Sequence, residues 1–396
     1  MKTNQSQSIS RKLMINIRER LQHMPVVAIL GPRQVGKTTL ARRIVSDFPN
    51  AQFLDLENNQ DRQVLQEPEL FLPSQREKLV VIDEIQFAPE IFRALRPEID
   101  QDRKPGRFLL LGSASGKLLQ QSSETLAGRI SYQELTPFLI NELEETDSQQ
   151  QLQKLWLRGG YPASFLASSE ESSYLWRMDF MKTLLQRDLP NFGVRISSSM
   201  LDRFWQMLAH LQGGIFNASN LSRSMGMSSP KTSENYLDVL IDAMMVRRLS
   251  PFFTNGTKRL VKSPKIYIRD SGILHAMLGI VHLKDLQGHP IVGASWEGFV
   301  IEQIANNLPV GAQVFYYRTQ AGSELDLVLE KGLKRIAIEI KLSTSPQVKK
   351  GYWQAIKDIG ATDAYVIAPV NQAYQLKDGV TVISPLDFLN QVLKSL

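Results

Sequence analysis

The run Gly31-Pro-Arg-Gln-Val-Gly36-Lys37-Thr38 constrains this chain more than any other feature. It follows an apolar, strand-forming stretch at 26–30 and precedes a helix-forming stretch at 40–48, the context in which G-x-x-x-x-G-K-[ST] forms a phosphate-binding loop. Glycines at 31 and 36 are expected to take backbone angles that a Cβ forbids, so that successive N–H groups converge on the β- and γ-phosphates of a nucleoside triphosphate. The helix behind the loop points its positive end at the anion. The expected cradle is Gly31, Pro32, Arg33, Gln34, Val35, Gly36, Lys37, Thr38 and Thr39. Lys37 supplies a mobile charge for the β/γ oxygens, and Thr38 is placed to ligate the Mg²⁺ that accompanies ATP.

Four further apolar stretches, at 52–56, 79–82, 108–111 and 130–135, alternate with helical patterns. That rhythm predicts a parallel sheet covered by helices. The stretch Val80-Val-Ile-Asp83-Glu84 delivers two carboxylates at the C-terminal tip of a buried strand, where ligands of open α/β sheets bind. Asp83 is expected to hold the Mg²⁺ shell through water. Glu84, turned the other way, is suited to orient and polarise the attacking water. The 108–111 strand runs into Gly112-Ser113, so Ser113 is expected to position that water and sense the γ-phosphate, while Ser115 could equally cap the helix predicted at 116–127. Arg129 closes that helix.

Composition sets outer bounds. At 396 residues two or three domains are expected, and 43% apolar residues suffice for several cores. With no cysteine there is no disulfide, thiolate zinc site or cysteine nucleophile, and the five histidines lack ligand spacing. Any metal is expected on oxygen. No run reaches the roughly eighteen apolar residues of a membrane helix, and residues 1–10 carry no apolar signal core, so a cytoplasmic location without a membrane partner is expected. The balance of 46 basic and 40 acidic residues, +6, leans weakly toward a polyanionic partner.

Together, the glycine-rich loop, the Asp-Glu pair, the serine after the fourth strand and Arg129 resemble an AAA-type ATPase. More narrowly, G-P-R-Q-V-G-K-T, V-I-D-E-I-Q at 81–86, L-A-G-R-I at 126–130, R-G-G-Y-P at 158–162 and R-D-L at 187–189 resemble a bacterial and archaeal family of AAA-type ATPases with a poorly characterised C-terminal half. The resemblance implies that Arg129 is a finger reaching a neighbouring subunit's γ-phosphate in a homo-oligomer; a surface salt bridge is the alternative reading. It also implies a helical lid at 141–195 after an ATPase domain at 1–140. Arg158 and Arg187 are both candidates for a second phosphate-sensing arginine, and Gly159-Gly160 marks a turn or hinge.

Residues 196–265 resemble a winged helix, with three helices, the middle one at 218–225, and a basic hairpin at 254–259 followed by Lys262 and Lys265. The hairpin and lysines would lie over a nucleic-acid backbone, although such folds also serve as interaction modules. In the remaining stretch, 266–396, Leu325, Leu327 and Leu329 are expected on one strand face with Glu324 and Asp326 on the other. A hairpin through 331–334 then sets Asp326 across from Glu339 and Lys341. With Glu297 on a preceding helix, this constellation resembles the core of PD-(D/E)xK nucleases, an α/β restriction-endonuclease-like fold. The resemblance implies Mg²⁺ on Asp326, Glu339 and Glu297, and Lys341 stabilising the attacking hydroxide or the phosphate. A solvated hairpin face is the plain alternative. Three functional readings follow: an ATPase coupled to a module that binds or cuts nucleic acid, a regulatory ATPase with an inactive interaction or assembly module, and a small-molecule kinase for which no acceptor pocket is legible.

Overall fold

The computed structural model describes residues 9–113, 122, 124–143, 148–191, 196–253 and 260–396. Ser115, most of the helix expected at 116–127 and the basic hairpin at 254–259 lie outside the described residues. The chain divides into two compact units, one formed mainly by 9–138 and the other by most of 139–396.

The first unit opens with helix α1 (Leu13–Leu21) and strand β1 (Val26–Gly31), followed by α2 (Lys37–Val45), β2 (Gln52–Asp55), α3 (Asn59–Val64), α4 (Pro68–Ser74), β3 (Val80–Asp83), α5 (Ile91–Gln101), β4 (Phe108–Ser113) and β5 (Ile130–Glu134). The five strands form one sheet in the order β2-β3-β4-β1-β5, every pairing parallel. β1, β3 and β4 are buried at every position, which is why they read as unbroken apolar runs and not as alternating ones. One face packs Val26, Ala28, Val80, Ile82, Phe108 and Leu110 against Ile91, Leu95 and Ile99 of α5. α1 and α2 pack against β1. The register sets Gly31 beside Ser113 and Asp55 beside Asp83, so the motif-bearing strand ends share one edge of the sheet.

In the second unit, α6 (Ser148–Arg158), α7 (Pro162–Phe165) and α8 (Glu170–Thr183) are followed by α9 (Ser198–His210), β6 (Gly214–Ile215), α10 (Ala218–Met225), α11 (Pro230–Asp242), β7 (Val246–Leu249) and β8 (Lys265–Ile268). β6, β8 and β7 form a small antiparallel sheet in that order. Next come α12 (Ser271–Met277), α13 (Leu283–Gly288) and α14 (Val292–Ala305). The segment expected as a lid packs within this unit: Arg177 of α8 donates to the Gly272 carbonyl of α12 at 2.7 Å, and the Gly160 N–H donates to Asp270 Oδ2 at 2.8 Å. The Gly159-Gly160 turn thus seats the N-cap carboxylate of α12.

The remaining elements are β9 (Ala312–Arg318), β10 (Glu324–Lys331), β11 (Lys334–Ile340), α15 (Lys350–Ile359), β12 (Asp363–Ile367), β13 (Tyr374–Gln375) and β14 (Thr381–Ile383). The sheet runs β13-β14-β12-β11-β10-β9, antiparallel across β9, β10 and β11 and parallel from β11 to β12 and β14. α15 makes the long crossover that a parallel pair needs and buries Tyr352, Ala355 and Ile359 against Val328, Ala337 and Val366. The strict alternation expected on β10 fails. The pairing with β9 shifts between Leu325 and Val328, and both of these residues enter the α15-facing core. A bulge of this kind turns one face of a strand into the other partway along.

Candidate nucleotide-binding site

The loop after β1 has the geometry of an anion cradle. Gly36 caps α2 with φ +92, and Gln34 is also left-handed at φ +63. Gly31 is required for a different reason than expected: its backbone is not left-handed, but a Cβ there would lie 2.2 Å from the Leu135 carbonyl oxygen. Only glycine lets β1 and the chain leaving β5 approach so closely. Lys37 is buried and donates to the Gly31 and Pro32 carbonyls at 3.0 and 2.9 Å, folding its ammonium back over the loop. Burial pushes its pKa down to about 8 against the opposing pull of Glu84 and Asp83. Arg33 is drawn aside by Glu57 at 2.9 Å, and Gln34 and Thr39 are exposed.

At the tip of β3, Asp83 Oδ2 accepts the Thr38 hydroxyl at 2.6 Å while Oδ1 accepts the Glu84 N–H at 2.9 Å. Burial raises the Asp83 pKa above the ordinary carboxylate range. Glu84 is itself in the left-handed region at φ +55, a conformation costly for a residue with a side chain and concentrated at functional sites. Its carboxylate accepts a hydrogen bond from Gln86 Nε2, and Gln86 Oε1 accepts the Ser113 N–H at 3.3 Å. Gln86 therefore ties the acidic tip of β3 to the end of β4. Its motif, V-I-D-E-I-Q, was visible in the sequence, but nothing in the spacing indicated this bridge. Ser113 Oγ is buried and has no hydrogen-bond partner among the described residues. A buried hydroxyl without a partner is costly, and a phosphate oxygen or ordered water at this edge would satisfy it. Together with the open left-handed turn at Gly36, it makes these residues fit a bound nucleotide. The Thr38 hydroxyl and the Asp83 carboxylate are the oxygens here that could hold a cation beside it.

Arg129 and Arg158 are committed within the chain. Arg129 forms a two-pronged pair with Asp100, at 2.7 and 2.8 Å, and donates to the Ala127 carbonyl. Arg158 is buried, paired with Glu170 at 2.9 Å through both Nε and Nη2 and bonded to the Ala167 carbonyl. Arg187 is exposed on a π-helical turn.

A second charged cluster forms in the other unit. Asp326 Oδ2 accepts the Ile340 N–H at 2.8 Å and lies 3.9 Å from Lys341 Nζ, which pairs with Glu339 at 2.5 Å. The residues expected to converge are neighbours. The metal set expected from Glu297, Asp326 and Glu339 is not assembled, however: no group of three such side chains that could hold a metal ion occurs among the described residues. Lysine ammonium groups sit among the acids instead. Lys265, expected on an exposed wing, is buried on β8 and pairs with Glu297 at 3.2 Å and with Glu324 at 3.1 Å. Burial opposes its charge, yet Glu297, Asp326 and Glu324 together hold it above the usual lysine range. Tyr267 of the same strand donates to Glu297 at 2.5 Å. Burial and then the Asp326 charge raise both Glu297 and Glu339 to about 7. Only the tertiary contact of β8 with α14 and β10 reveals the roles of Lys265 and Tyr267; in sequence they precede Glu297 by some thirty residues, and Lys265 precedes Glu324 by nearly sixty, with no linking pattern.

No helix of the described residues is long and apolar enough to cross a membrane. Family models match three stretches: an AAA domain at 23–144, a domain of unknown function, DUF8612, at 149–284, and another, DUF4143, at 292–388. The middle match includes β8, which carries Lys265. A solved Walker-type ATPase of Pyrococcus abyssi is 15% identical and aligns over 68% of this chain and 96% of its own, with a TM-score of 0.44. Uncharacterized proteins of Mycobacterium tuberculosis and Mycobacterium bovis are each 41% identical over 373 residues, covering 94% of this chain and 83% of the relative. With that identity over nearly its whole length, the chain belongs to the family of these mycobacterial proteins, and its own residues 23–144 match an AAA domain.

Proposed function

We propose that this protein binds and hydrolyses ATP with Mg²⁺ and that its nucleotide state governs a second unit that engages nucleic acid. The observation that carries the ATPase reading is the convergence, at one edge of a parallel sheet, of Lys37, Thr38, Asp83 and Glu84 with the Ser113 hydroxyl, which has no partner among the described residues. In this reading the loop amides and Lys37 bind the β- and γ-phosphates, and magnesium held from Thr38 and Asp83 supplies charge neutralisation between them. Glu84, steadied by Gln86, orients the attacking water and draws on its proton. Ser113 donates to the γ-phosphate or that water. Arg129, already held by Asp100 at the surface, takes no part in the reaction in this reading.

Two features support nucleic acid as the partner. The order α9-β6-α10-α11-β7-β8, with its three-stranded sheet, resembles that of a winged helix, and we take the resemblance as support for this reading. The order α14-β9-β10-β11-α15-β12, with Asp326, Glu339 and Lys341 on its strands and the turn after them, resembles a nuclease-like core. Because Lys265 and Lys341 compensate the carboxylates, and no group of three side chains that could hold a metal ion occurs among the described residues, the second unit is read as binding nucleic acid without cleaving it. That same compensation favours one rival, a regulatory ATPase whose second unit is an assembly module. ATP turnover measured with and without duplex and single-stranded DNA separates them. Stimulation by DNA, abolished by Lys37→Ala, is expected; turnover indifferent to both forms of DNA would establish the rival.

A further inference from the structure

Arg11 stands just ahead of α1, far from the loop in sequence, yet its side chain is buried against it. Nη1 donates to the Val35 carbonyl at 3.1 Å and Nη2 to the Thr136 carbonyl at 2.5 Å, with the guanidinium 5.1 Å from the centre of the Phe138 ring. One planar group therefore bridges the phosphate-binding loop and the chain leaving β5. A guanidinium is suited to this because it presents several donors in a fixed fork and keeps its charge when buried.

The carbonyl it holds is a consequential one. A trans peptide is planar, so the Val35 C=O and the Gly36 N–H point in opposite directions. Fixing the carbonyl toward Arg11 aims the Gly36 N–H away from Arg11. Rotating this peptide changes ψ at 35 and φ at 36, and glycine tolerates the second change at little cost. We propose that Arg11 is a positioning residue of the nucleotide site, locking the 35–36 peptide in the orientation that presents the Gly36 amide to the β-phosphate. The inference rests on the ATP-binding reading above.

The test uses the full-length chain and four proteins: wild type, Arg11→Lys, Phe138→Leu and Lys37→Ala. Lysine keeps a charge but lacks the planar fork whose Nη1 and Nη2 each reach one of the two carbonyls, whereas Phe138→Leu removes the ring beside the guanidinium and spares both hydrogen bonds. Dissociation constants for Mg-ATP and Mg-ADP are measured by calorimetry, together with kcat and KM for hydrolysis and the melting temperature without nucleotide. Arg11→Lys is expected to weaken ATP and ADP alike, by roughly 10- to 100-fold, because both carry the β-phosphate, and to raise KM far more than it lowers kcat. Phe138→Leu is expected to lower the melting temperature while leaving both dissociation constants within about twofold. Equal effects of the two variants on affinity, or unchanged affinity in Arg11→Lys, would overturn the positioning role while leaving the ATP reading intact. Absence of ATP binding in wild type would overturn both.

Discussion

The Thr38 hydroxyl donates to Oδ2 of Asp83 at 2.6 Å, joining the first turn of α2 to the tip of β3 across 45 residues of chain. Both oxygens are thereby held where a hard cation would replace their mutual hydrogen bond. Thr38→Ala is expected to retain nucleotide binding without Mg²⁺, to lose the tightening that Mg²⁺ brings, and to hydrolyse ATP about 100-fold more slowly. Calorimetry with and without Mg²⁺, beside steady-state turnover, checks this.

The buried Lys37 ammonium, displaced to about pH 8, gives a pH signature. Its native pKa is depressed, so between about 8 and 10.5 the unfolded chain binds more protons than the folded one; the cost of burying the charge is carried below that window and relieved as pH rises through it. A polyphosphate favours the charged form. Binding Mg-ATP near pH 8 is therefore expected to take up roughly half a proton, and affinity should fall at higher pH. Calorimetry in buffers of different ionisation enthalpy measures the uptake, and unchanged uptake in a Lys37 variant that still binds would refute the assignment.

Arg129 is engaged by Asp100 through both ends of its guanidinium. The pair lies at the surface, where such contacts add little to stability, so Arg129→Ala should leave the melting temperature nearly unchanged and turnover within about threefold of wild type. A loss of turnover of about a thousandfold, with ATP binding retained, would restore the finger role between subunits.

Gly272 lies in α12 with the Arg158 carbonyl oxygen 2.0 Å from where its Cβ would stand. In an unobstructed helix Gly→Ala stabilises by about 1 kcal/mol. Here the clash is with backbone, and Gly272→Ala is expected to destabilise the second unit by about 3 kcal/mol or more. Denaturant unfolding followed by tryptophan fluorescence reads the effect through Trp156, which is buried nearby in the same unit.

Lys265 is the cation on which Glu297 and Glu324 close. Lys265→Met would strand those carboxylates and is expected to destabilise the second unit by about 3–5 kcal/mol at pH 8. Because burial already raises Glu297, the unpaired acid takes a proton readily and the loss should shrink toward pH 5. Adding Glu297→Gln to the lysine variant should recover part of the stability; unfolding curves at both pH values decide it.

Much of the first unit was legible because its signals are local. Each of the five strands lies within a few residues of its expected span, and the loop, Asp83 and Ser113 stand at one edge because parallel strands all end on the same side. The helices at 198–242 and the hairpin carrying Asp326 and Glu339 were likewise readable from period and turn chemistry. The face assignment on β10 was not: one irregularity between Leu325 and Val328 reverses the alternation, and a bulge leaves no mark in residue type.

What the amino-acid order determined by itself was therefore backbone chemistry: which segments extend, which coil, and where a glycine-rich turn meets a helix. The tertiary structure alone decided which side chains answer one another. It gave Arg129 to Asp100, drew Lys265 from an expected wing into a buried acid cluster, set Gln86 between Glu84 and Ser113, and brought Arg11 to the Val35 carbonyl. Backbone preferences act over a few residues and repeat with a period that can be counted. A buried charge, by contrast, takes whichever partner the packing brings within about 3 Å, and distance along the chain carries no record of that choice.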